Sequence, residues 1–281
     1  MRTNEKKFNV INIKILSPNI VDNNSYKKLL IDAYEQRKIV KLSKDKFGII
    51  RQVFSDNKHN LCYGVICIFM NNNNKALNKN DLEVIDFRIP DDIAINPKDY
   101  NFIFFPSLHR LAIQVPSVAP STAIKIVKGI FEQVTPENYM LEVNIQQSKD
   151  IIERITNAKN VTSLKIKITP TNADTVPDAQ KFIDEQLKGM NARVMDTSFK
   201  PLEGSSITIE NNELAGALMK LAQSNGEIKA NIVNNENKKE TIVTSDHPEV
   251  FKIHEATDLA EQALKLYNVL NDRFRGGNSN G

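Results

Sequence analysis

Cysteine occurs only twice in the 281 residues, at Cys62 and Cys67. The two fall on one expected strand at an odd spacing, so their thiols point to opposite faces. They should neither bond to each other nor build a structural zinc site alone. Reduced thiols of an intracellular protein are the simple expectation. Glycine (10) and proline (11) are too sparse for a collagen-like or low-complexity chain. No apolar run is long enough to span a bilayer as a helix. Met1 to Asn9 is polar and basic and lacks the apolar stretch of a signal peptide, so a cytoplasmic protein is expected. Neither sign of charge dominates. Lys plus Arg (37) against Asp plus Glu (34) leaves a net of +3, which permits a local basic patch without demanding a polyanionic partner. Also missing are the GxSxG elbow, the GxxxxGK[ST] phosphate loop, GxGxxG and HExxH. No catalytic residue, metal ligand or cofactor is therefore expected.

What is present is an ordinary globular balance, 41% hydrophobic and 25% charged, on a chain long enough for two modest domains. Phe8 to Leu16, Lys46 to Phe54, Leu61 to Met70, Leu82 to Ile89, Phe102 to Phe105 and Arg110 to Val115 read as strands. Among them only Ser25 to Val40 has helical period, with Ser25 as a possible N-cap. Asn71 to Asn80 reads as a polar break. From Ser121 onward helices and strands alternate. Helical periods cover Ser121–Val134, Ser148–Ala158, Asp178–Met190 and Asn211–Gln223, the last stopped by Asn225-Gly226. Strands are expected at Tyr139–Ile145, Val161–Thr169 and Ala192–Phe199. Ile228–Val233 and Glu240–Thr244 form a late hairpin, and Ala256 to Arg273 closes the chain as an amphipathic helix. The expected fold is α+β. A β-rich domain spans 1–115, an alternating, ferredoxin-like domain spans 116–275, and a flexible tail spans 276–281.

The four histidines, His59, His109, His247 and His254, have no metal-ligand spacing, and surface or capping roles suit them. Gly204-Ser205-Ser206 reads as a turn, and so does Asp246-His247-Pro248-Glu249. The basic residues are more informative. Lys165 and Lys167 project from one face of a strand, because alternate side chains share a face. Lys229, Lys238 and Lys239 belong to one hairpin, and Lys125 and Lys128 share a helix face. A lysine-bearing strand face can lie against a phosphate backbone, each contact releasing counterions. Aromatics do not interleave with these lysines, so base stacking has little support. Candidate nucleic-acid contacts are Lys165, Lys167, Lys229, Lys238 and Lys239. A rival reading takes Glu227-Ile228-Lys229 as the acid-x-Lys of a metal-dependent nuclease, with Asp178 as the second carboxylate. A third takes the strand–helix alternation as a protein-interaction module, such as an antitoxin or inhibitor.

The segments Asn101 to Arg110 (NFIFFPSLHR), Val143 to Asp150 (VNIQQSKD), Leu164 to Asn172 (LKIKITPTN), Ala222 to Gly226 (AQSNG) and Ser245 to Pro248 (SDHP) resemble a bacterial family defined by a domain of unknown function. That resemblance covers most of the chain and implies no activity or site residues. In the order of its elements the chain is also similar to the DNA-binding sensor of the Rex phage-exclusion system and the DNA-binding subunit of the Kiwa defence system. This second similarity implies a non-catalytic, homodimeric, duplex-DNA-binding protein of anti-phage defence, with a membrane-protein partner encoded nearby.

Overall fold

The computed structural model describes residues 5–17, 22–71, 74–87, 90, 92–115, 119–171, 178–254 and 258–275. The tail expected at 276–281 lies outside them. The elements in chain order are β1 (Glu5–Leu16), α1 (Asn23–Glu35), β2 (Ile39–Lys41), β3 (Lys46–Asp56), β4 (Leu61–Met70), β5 (Asn74–Leu77), β6 (Val84–Phe87), β7 (Ile95–Phe105), β8 (Arg110–Val115), α2 (Pro120–Glu132), β9 (Met140–Ile145), α3 (Lys149–Thr156), β10 (Asn160–Ile168), α4 (Asp178–Gly189), β11 (Met195–Phe199), α5 (Glu213–Asn225), β12 (Gly226–Val233), β13 (Lys239–Val243), β14 (Val250–His254) and α6 (Leu259–Arg275). The class is α+β, β-rich first and alternating later.

An eight-stranded antiparallel sheet runs β14-β1-β8-β7-β4-β3-β2, with β9 also paired to β1. Strand β1 shows why β9 and β14 share one neighbour. Its first half, from Glu5 to Asn9, pairs β14, and its second half, from Ile11 to Leu16, pairs β9 on the same side. The sheets therefore do not divide at residue 115, because this sheet takes strands from both sides of that position. Period-2 alternation on β1 serves two cores. Ile11, Ile13 and Ile15 face α1 and α2, while Phe8 and Val10 face α6. Phe104 sits wholly buried on the first of these faces, its ring edge-on to Phe131 of α2 at 6.3 Å. Phe104→Ala should cost about 3–5 kcal/mol. A leftward shift of the urea midpoint with an unchanged slope checks it.

The second sheet runs β11-β10-β12-β13, all antiparallel. Its buried face, with Leu164, Ile166, Ile228 and Ala230, packs on α3, α4 and α5. The element order is β-α-β-α-β-β, whereas a ferredoxin-like unit runs β-α-β-β-α-β. Helix α5 intervenes where that fold would place a hairpin. The late hairpin is present, as β12 and β13.

Several local readings change. The N-cap of α1 is Asp22, not Ser25; its carboxylate accepts the Ser25 amide and hydroxyl, each at 2.8 Å. The Ser25 hydroxyl and then its amide hold the Asp22 carboxyl below the ordinary aspartate range. A depressed folded pKa gives stability that is present at neutral pH and is lost as pH falls through that pKa. Asp22→Asn keeps an N-cap acceptor but does not titrate. Its helical circular-dichroism signal should therefore be flatter than the native one between about pH 5 and pH 2. The polar break at Asn71 to Asn80 contains β5, which pairs β6. Strand β14, with its alternating burial, lies where only a turn and two histidines were expected. Cys62 and Cys67 are both free and buried, and burial pushes both thiols up, away from the reactive thiolate.

Candidate nucleic-acid interface

Alternation on β10 buries Leu164, Ile166 and Ile168 and exposes Lys165 and Lys167. On β12 the same alternation buries Ile228, Ala230 and Ile232 and exposes Lys229 and Asn231. Antiparallel register then sets the neighbours. Lys165 stands directly opposite Lys229 on one side and Ser198 on the other. Lys167 stands between Asp196 of β11 and Glu227 of β12. Thr241 of β13 donates its hydroxyl to Asn231 Oδ1 at 2.9 Å, which places Thr241, and Lys239 two residues away, on this same face.

Four of the five candidate lysines thus share one solvent face. Lys165, Lys167 and Lys229 cluster around an open trough of about 410 Å³, with Asp196, Ser198 and Glu227 on its walls. Lys239 lies four residues along β12 from Lys229, opposite Val233, about 13 Å away at a strand's rise. Lys238 is separate. It sits in the hairpin turn, 2.8 Å from Glu236, with both side chains exposed. Among the described residues, no ion pair involves Lys165, Lys167, Lys229 or Lys239. Two like charges directly across a ladder repel, so the Lys165–Lys229 pair is a place where an anion would relieve strain. The other lysine pair lies off this face: Lys125 donates to the Leu42 carbonyl, and Lys128 lies 3.7 Å from Glu132.

Glu227 and Lys229 of the acid-x-Lys reading do project from this face. Glu227 accepts a hydrogen bond from the Ser245 hydroxyl at 2.5 Å. Asp178 opens α4, which packs on the opposite, buried face of the sheet; its side chain lies outside the described residues. Among the described residues no three His, Cys, Asp or Glu side chains gather as a metal site.

A feature that sequence reasoning missed joins the two sheets. The last four carbonyls of a helix have no intrahelical partner, and in α5 every one is captured from outside. Gln147 Nε2 donates to Ala222 O at 2.9 Å, and the Gln147 amide donates to Gln223 O at 3.0 Å. Asn12 Nδ2 donates to Ser224 O at 2.9 Å, and the Thr169 amide and hydroxyl donate to Asn225 O. Asn12 also donates to Asn225 Oδ1 and accepts from Arg110 Nη1. This seam buries Asn12 and Lys14, which alternation on β1 placed among polar positions. The Asp246 to Glu249 turn is part of the join: His247 O accepts the Ser148 amide, and Glu249 pairs with Arg273 at 3.1 Å. His109, in the left-handed region at φ 53°, stacks on Tyr26 at 4.1 Å.

All five segments that carried the family resemblance supply residues to this seam or border it: Arg110, Gln147, Thr169, Ala222 to Gly226 and His247. Among curated proteins none matches the chain. A family model does, over residues 5–270, and the chain belongs to the family it describes, Domain of unknown function (DUF4747).

Proposed function

We propose that this protein binds nucleic acid through the solvent face of its second sheet, gripping the phosphate backbone of duplex DNA without reading sequence. The observation that carries the reading is the cross-strand pair Lys165–Lys229, two exposed like charges held opposite each other on a ladder and flanked by Lys167 and Lys239. Placing cations there costs the fold a little repulsion, which a bound phosphate would offset. Asp196 and Glu227 beside Lys167 confine the positive region to a stripe rather than spreading it over the whole face. Backbone binding of this kind has a steep salt dependence, since each neutralised phosphate releases counterions. The test is a salt titration of binding to a labelled duplex in two unrelated sequences. Equal affinities and a slope of about −3 to −4 in log K against log salt are expected for four contacts. A flat salt response would overturn the reading.

A further inference from the structure

The lysine trough does not end on the sheet face. It opens, past Lys167 and Glu227, into a second groove of about 350 Å³ at the junction of the two sheets. The charged and polar residues that face this groove include Lys128 and Lys167, Asn144, Thr169 and Ser245, and the carboxylates Glu142, Glu227 and Asp246, of which Glu142 is paired with Arg193 at 2.7 Å. One wall is the edge of β9 turned away from β1, which pairs no other strand among the described residues. The Gln146 amide donates to Val10 O at 2.8 Å, and Asn144 and Glu142 stand opposite Asn12 and Lys14. Antiparallel ladders alternate bonded and non-bonded residues. Glu142 and Asn144 therefore turn their amides and carbonyls toward β1, as the Gln146 amide does, whereas the Gln146 carbonyl accepts the Glu249 amide at 2.9 Å. Val143 and Ile145 turn theirs outward, on the side of the groove they line.

We infer that this groove is a subsite for a single nucleotide, with its base against the edge of β9 and its phosphate toward Lys167. Alternating N–H and C=O groups on a strand edge present the donor and acceptor pattern that complements the edge of a nucleobase. Asn144 can add a bidentate donor–acceptor pair, as amides do on bases. The Glu227 carboxylate, with the Ser245 hydroxyl that donates to it, suits sugar hydroxyls, while the Thr169 hydroxyl is committed to Asn225 O. Lys167 supplies positive charge, with Lys128 shared with Glu132 at 3.7 Å, and the volume lies in the range of small-ligand sites. The nucleotide can be free or unstacked from a strand lying on the lysine face. The second source rests on the binding reading above; the first does not.

The test is calorimetric titration of the full chain with the four common nucleoside monophosphates and with inorganic phosphate. At least one nucleotide should bind about tenfold or more tightly than phosphate. Asn144→Leu should abolish that preference while leaving the salt slope for blunt duplex unchanged. Lys165→Ala with Lys229→Ala should do the reverse, because neither residue lines the groove. Lys128→Ala, a substitution away from both cores, repeats the groove test if Asn144→Leu melts early. Competition by blunt duplex, by duplex with a single-stranded overhang and by free nucleotide then separates the sources. Preference for the overhang marks a strand nucleotide, and equal competition by the free form marks a soluble one. Nucleotides binding no better than phosphate, or equally well to Asn144→Leu, would overturn the subsite whatever the duplex result. A flat salt response with intact nucleotide binding would overturn only the backbone reading.

Discussion

Replacing Lys165, Lys167, Lys229 and Lys239 together by alanine should lower duplex affinity several-hundredfold near physiological salt and reduce the salt slope by about 3 to 4. Each phosphate contact contributes a slope of roughly 0.9, which is about a fivefold gain at about 0.15 M salt, and four such factors multiply. All four side chains are exposed, so the fold should lose little, within about 0.5 kcal/mol per site. Lys165→Ala alone makes a sharper point. It removes a repulsion with Lys229 as well as a contact, so it should weaken binding while leaving the melting temperature level or slightly raised. Lys238→Ala is the internal control, since that ammonium sits beside Glu236 in the hairpin turn. If the quadruple variant bound as the native protein does, these lysines would be an ordinary solvated face.

How much of this could be read from the chain depends on the range of the interaction. Local periodicity locates most elements and places Lys165 and Lys167 on one side of β10, because side-chain direction on a strand is fixed by neighbours two residues away. It cannot show that Lys229 stands opposite Lys165 and Glu227 opposite Lys167, since register between β10 and β12 is set by hydrophobic matching across some sixty positions of chain. The return of β9 and β14 to β1 is equally long-range. Short strands such as β5 and β14 are lost for another reason. They carry too few apolar positions to stand out from a polar turn, although the alternation of Phe251 and Ile253 with Lys252 and His254 was a signal available in principle.

The polar seam is the clearest case of what pattern cannot give. Asn12 and Lys14 look like solvent positions on β1, yet their exposures are 2% and 4%. The end of α5 covers that face and needs donors for its carbonyls. A polar residue between apolar ones marks a water-facing side only where no second layer is stacked there. The same seam explains why Asn225-Gly226 ends the helix without the left-handed turn usual for such a stop.

Gly226→Ala should therefore be among the most damaging single substitutions in the second sheet, for a reason of space rather than conformation. Gly226 has φ 174° and ψ −147°, extended backbone open to any residue. A Cβ there would lie 1.8 Å from the Lys167 carbonyl oxygen and 2.8 Å from its carbon, backbone atoms that cannot swing aside. Its own carbonyl accepts from Gln147 Nε2 at 2.5 Å, so the strand cannot shift without losing the seam. Relief requires parting β12 from β10 at Gly226–Ile168, the end of the ladder that carries Lys167 and Glu227. The expected cost is roughly 3 kcal/mol or more, about 6–12 °C in melting temperature. Gly216→Ala, in the same helix–strand unit but with nothing within 4 Å of its Cβ, should instead stabilise α5 by about 0.5–1 kcal/mol, since alanine favours helix over glycine. A differential-scanning comparison of the two variants reads the difference directly. Equal melting temperatures would mean that β10 and β12 do not approach as closely at Gly226 as this geometry requires. A depressed value for Gly226→Ala, with loss of both nucleotide and duplex binding, would tie the seam to the face, because the residue that admits the end of α5 against β10 also fixes where Lys167 stands.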